Sequence, residues 1–85
     1  MCTYSTEKVA LARSSGKTRD GWRSMSEATV YYDHPVHAPD AHTVNIDFLA
    51  PEQGPASRIA VELSLDSARE LLAALQTTVE RAAFH

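Results

Sequence analysis

The chain has 85 residues, 44% of them hydrophobic and 22% charged, with a formal net charge of −3. This describes one small soluble domain, residues 1–85, too short to bury more than about 60–65% of the surface its unfolded form exposes, so oligomerisation is expected. A single cysteine, Cys2, excludes an internal disulfide and points to a reducing cytoplasm; eight Lys plus Arg against eleven Asp plus Glu disfavour nucleic acid as a partner.

In chain order, residues 3–11 alternate Thr3, Ser5, Glu7, Val9 and Leu11 with Tyr4, Thr6, Lys8 and Ala10, the pattern of a moderately amphipathic strand. Residues 13–21 are polar, carry two glycines and end in Asp20-Gly21, and predict a loop. Ser15-Gly-Lys-Thr18 within it is not a phosphate-binding loop. That pattern needs a glycine where Leu11 stands and a helix after Lys17, and neither is present. Arg13, Lys17, Arg19 and Arg23 make the loop basic, a surface for an anion or acidic partner if it is more than a solvated hairpin. Trp22, just past the turn, is expected to anchor over the sheet edge.

Residues 28–33, Ala-Thr-Val-Tyr-Tyr-Asp, predict a second strand. Pro35 and Pro39 then bracket a segment without apolar periodicity, residues 34–42, which reads as an ordered loop. Val44, Ile46 and Phe48 alternate with Thr43, Asn45 and Asp47 in a third strand, and Ile59, Val61 and Leu63 alternate with Arg58, Ala60 and Glu62 in a fourth. From Leu65 the period changes: Leu65, Ala68, Leu71, Leu72, Leu75, Val79 and Ala82 recur at helical steps, capped at Ser64 or, one turn later, at Ser67. The expected fold is therefore α+β, a four-stranded antiparallel sheet with one C-terminal helix packed on one face. No segment reaches the roughly 20 apolar residues a membrane span needs.

If Val30, Tyr32, Val44, Ile46, Phe48, Ile59, Val61 and Leu63 face the helix, then Tyr31, Asp33, Asn45, Asp47, Ala60 and Glu62 share the opposite face. That polar face is the one left for solvent, a ligand groove or a partner: a second copy in a homodimer or larger homo-oligomer, or an unknown protein.

The most chemically distinctive segment concentrates His34, His37 and His42 with Asp33 and Asp40. Imidazole and carboxylate suit a divalent transition metal such as zinc, nickel or copper, with Asp33, Asp40 or the Cys2 terminus as the fourth ligand. The spacing matches no defined metal motif, and loop histidines contacting backbone, solvent or a second subunit are the plainer reading. Removal of Met1 would leave Cys2 with a free amine beside its thiol, a chelating pair or a nucleophile with its base, or simply a plain thiol. No catalytic motif is recognised. The expected role is thus an accessory protein binding a divalent metal or a ligand through residues 34–42, with a non-catalytic, homo-oligomeric protein-interaction module as the alternative.

The opening residues 1–8 (Met-Cys-Thr-Tyr-Ser-Thr-Glu-Lys), Asp20-Gly-Trp22, residues 32–39 running into residues 42–48, and Arg58-Ile-Ala-Val-Glu-Leu63 together resemble a short bacterial family known only as domain of unknown function 6295. The resemblance spans nearly the whole chain. It implies a stand-alone domain and brings with it no activity, cofactor or catalytic residue; the strands-then-helix order is similar to other small bacterial domains in fold alone.

Overall fold

Period-two alternation along the strands builds the platform on which every candidate group sits. The computed structural model describes residues 6–50, 54 and 57–84. Its elements are β1 (Thr6–Ala10), β2 (Ser15–Thr18), β3 (Gly21–Ser24), β4 (Glu27–Asp33), β5 (Thr43–Leu49), β6 (Ile59–Leu63) and α1 (Leu65–Ala82). Strands β1, β4, β5 and β6 form an antiparallel four-stranded sheet in the order β1-β4-β5-β6, as the alternation predicts, and the α+β class stands.

The register sorts the two faces as expected. Rows Tyr32–Val44–Leu63, Val30–Ile46–Val61 and Ala28–Phe48–Ile59 lie on one face, with Val9 extending the last across β1. Rows Tyr31–Asn45–Glu62 and Thr29–Asp47–Ala60 lie on the other, joined by Thr6 and Lys8.

The first departure is a hairpin inside the predicted loop. β2 and β3 pair as a separate two-stranded sheet, turning through Arg19 and Asp20 into Gly21 at φ 115°, a left-handed conformation that favours glycine. Thr18 stabilises the turn by donating its hydroxyl to the Gly21 carbonyl at 2.9 Å. The hairpin folds against the Phe48–Ile59 end of the apolar face, where Met25 is buried. Gly16 allows this approach: a Cβ there would come within 2.9 Å of Ile59 Cδ1 and 3.0 Å of Met25 Cε. Trp22 does not anchor on the sheet edge; it lies opposite Lys17 in the hairpin and is 65% exposed.

α1 begins on the same apolar face. Ser64 is its N-cap, with its hydroxyl accepting from the Ser67 N–H at 3.1 Å, and Asp66 and Arg81 sit at the ends that suit their charges. Its first turns flank β5 and β6, leaving an apolar groove of about 380 Å³ walled by Val30, Val44, Ile46 and Leu63 against Leu71, Leu72 and Leu75. None of its residues is buried. Among the described residues the buried apolar side chains are Met25, Ala28 and Ala50, whereas Thr43, Asn45, Asp47 and Ser57 are buried and polar. The polar face is thus better covered than the apolar one, the reverse of the expectation that the polar face is left open.

Candidate functional site

The polar face is covered by the segment its sequence marked out. After β4 the chain passes through residues 34–42 and returns as β5, and the middle of this loop lies over Asn45 and Glu62. The Glu62 carboxylate holds it there. Oε1 accepts the N–H groups of His37 and Ala38, each at 3.1 Å, and Oε2 accepts that of Val36. Three successive backbone donors converging on one carboxylate form an anion-binding concavity filled by the protein's own side chain. These bonds, led by the one from Val36, hold the Glu62 pKa below its ordinary value.

Beneath the loop is an open-sided cavity of about 570 Å³, within the range of small-molecule sites. Tyr31, Asn45, Asp47, Arg58 and Glu62 line it from the sheet, and His34, Val36, His37 and Ala38 from the loop. On its floor the Asp47 Oδ2 accepts from Arg58 Nη2 at 2.9 Å and from the Tyr31 hydroxyl at 3.2 Å. Burial, then the nearby Asp47 charge, raises the Tyr31 pKa; the hydrogen bond to Asp47 raises that of Arg58, which therefore stays charged. Asp47 is only 8% exposed, yet its Oδ1 is buried without a hydrogen-bond partner among the described residues, a deficit of about 1–3 kcal/mol. Asn45 is also buried and accepts the Thr43 hydroxyl at 2.7 Å. Arg58 keeps 48% of its side chain exposed, so the cationic group remains accessible at the cavity wall.

The expected metal residues separate into different roles. His34 and His42 meet, with ring centroids 4.4 Å apart, and His42 in turn stacks on Tyr32 at 5.5 Å. His34 is further tied down by Asp33, whose Oδ1 accepts its backbone N–H at 2.7 Å, and by an Nδ1 contact with the Ala41 carbonyl at 3.1 Å. His37 has its backbone N–H on Glu62 and lines the cavity with His34, and Asp40 is exposed. Cys2 lies outside the described residues. No three His, Cys, Asp or Glu side chains converge among the described residues. Arg58 and the latching role of Glu62 were not singled out by the sequence reading. Arg58 does carry a signal, since it precedes Ala60 and Glu62 by even steps and so belongs to the polar face.

The fold and this cavity define a small α+β protein whose sheet carries a roofed polar cleft. The chain belongs to a family of unknown function, DUF6295, which matches residues 1–85. No curated protein and no solved structure matches it.

Proposed function

We propose that the protein is a non-catalytic binding module for a small polar molecule held between the sheet and residues 34–42. The observation that carries this reading is the accessible Arg58 guanidinium in a roofed cavity whose charges are otherwise matched internally. Asp47 balances Arg58, and Glu62 is occupied by three N–H groups. A bare anion gains little from such a site, because the arginine it would pair with already has a counter-ion. A molecule carrying both an anionic and a cationic group suits it better: its carboxylate pairs with the guanidinium, and its ammonium is favoured by the negative charge that Asp47 and Glu62 bring to the cavity lining. The α-amino acids are the simplest members of that class.

Titrating isotope-labelled protein with a panel of free α-amino acids at millimolar concentration tests the proposal. Amide shifts at Tyr31, Asn45 and Ala60 are expected for at least one of them, and Arg58→Ala removes the response. A panel that leaves those amides unmoved overturns the reading.

The pairing of His34 and His42 favours a second ligand class, a divalent transition metal bound by the two imidazoles. Zinc, nickel and copper titrations of wild type and His42→Ala separate the two readings. Stoichiometric binding lost in the variant supports the metal, and equal weak binding by both removes it.

A further inference from the structure

The apolar face poses a different problem from the cavity. The chain exposes 6486 Å², whereas a compact folded protein of 9.3 kDa exposes about 5,000 Å². The difference, about 1,500 Å² per chain, is of the size that an obligate dimer interface buries on each partner. Exposed apolar side chains gather on α1: Leu72 is 65% and Val79 60% exposed, and Leu75 is similar.

The spacing of that surface specifies its occupant. Leu65, Leu72 and Val79 recur every seven residues, each followed three positions on by Ala68, Leu75 and Ala82 in turn. This is a seam suited to a second helix. Beside the seam runs the groove between α1 and the sheet. One surface therefore offers both a ridge and a groove, which is what a two-fold axis requires, because each copy must supply what the other receives. Arg69 and Glu80 are three helical turns apart and lie on the same flank of the seam. An antiparallel pair of helices sets the arginine of one copy beside the glutamate of the other.

We infer that a second copy of this chain covers the apolar face, forming a symmetric dimer in which antiparallel α1 helices pack on each other and each ridge fills the other copy's groove. Dimerisation supplies the core that each chain lacks, so folding stability depends on protein concentration.

Sedimentation equilibrium of the full chain tests this. A mass twice 9.3 kDa is expected at micromolar concentration, together with a thermal midpoint that falls on dilution. Leu75→Glu is expected to raise the dissociation constant at least a hundredfold. Arg69→Glu removes no leucine or valine from the seam, although the arginine stem borders the groove, and it keeps the test valid if Leu75→Glu fails to fold; it is expected to weaken the dimer several-fold, and adding Glu80→Arg to restore it. A monomer at 100 μM, including one whose apolar face takes up a different protein, overturns the proposal. So does a Leu75→Glu variant that folds and stays dimeric, which would place the contact at a sheet edge. Failure of the charge swap overturns the antiparallel arrangement. None of these outcomes depends on ligand binding at the cavity.

Discussion

The two faces of the sheet invert the usual relation between polarity and cover. On the polar face a loop held by a carboxylate shields Asn45 and Asp47, and on the apolar face a hairpin covers one end while α1 keeps its own Leu72 and Leu75 largely in water. A polar face is worth covering within one chain only if its groups are satisfied, and here most are: Asp47 Oδ2, Asn45 and both Glu62 oxygens have partners. An apolar face needs only area removed from water, which a second molecule supplies as well as the chain itself does. Specific hydrogen bonds are thus made within the chain, whereas much of the apolar side of α1 stays in water.

The largest effect that sharpens this contrast comes from comparing one side chain on each face. Met25→Ala removes the main buried apolar side chain under the β2–β3 hairpin and is expected to cost about 3 kcal/mol of unfolding free energy. Asp47→Ala strips the acceptor from Tyr31 and Arg58, but it also removes the unpartnered Oδ1, so a smaller loss of about 2 kcal/mol is expected. Urea denaturation of both variants at one protein concentration gives the order. If Asp47→Ala is the costlier change, the polar face is the true centre of stability and the contrast fails.

These faces were legible in the sequence because alternation needs only local information. Val30, Ile46 and Val61 fall into one cross-strand row by parity alone, and Tyr31, Asn45 and Glu62 into the next. The β2–β3 hairpin was not legible. Ser-Gly-Lys-Thr and Gly-Trp-Arg-Ser have no apolar alternation, and their pairing rests on the tertiary approach of Gly16 to Met25 and Ile59. The cover over the cavity was hidden for a related reason. Residues 34–42 stood out through their histidines, but what fixes the loop is Glu62, more than twenty positions away, bonding to backbone groups that every non-proline residue carries. The helix is legible as an element from Leu65 to Ala82. Amphipathicity shows that it has an apolar side and leaves open how closely that side meets the sheet.

A middle-sized effect concerns the latch and pH. Glu62 has its pKa depressed by the N–H groups of Val36, His37 and Ala38. A carboxyl of this kind adds stability that is fully present above its unfolded value near 4.5 and is lost as pH falls through the lower folded value. The amide resonances of residues 36–38 are therefore expected to move together below pH 4.5 in wild type. In Glu62→Gln they should stay flat with pH, with the loop already loosened at neutral pH. If the three wild-type amides show no acid transition, Glu62 is not what covers the polar face.

The smallest effect is expected at the largest side chain. A tryptophan truncated from a core costs about 3–5 kcal/mol, whereas substitutions at exposed positions usually stay within about 0.5 kcal/mol. Trp22 is 65% exposed on a hairpin whose packing runs instead through Gly16 and Met25, so Trp22→Ala should fall in the second class. The same side chain also tests the limit of the proposed dimer contact. If α1 and its groove form the whole interface, Trp22 stays in water in both monomer and dimer, and its fluorescence maximum does not shift on dilution. A loss above about 1.5 kcal/mol together with a dilution-dependent emission shift would show that association buries the indole. The contact would then extend beyond the helix groove to the hairpin, and the open and covered ends of the apolar face would belong to one interface.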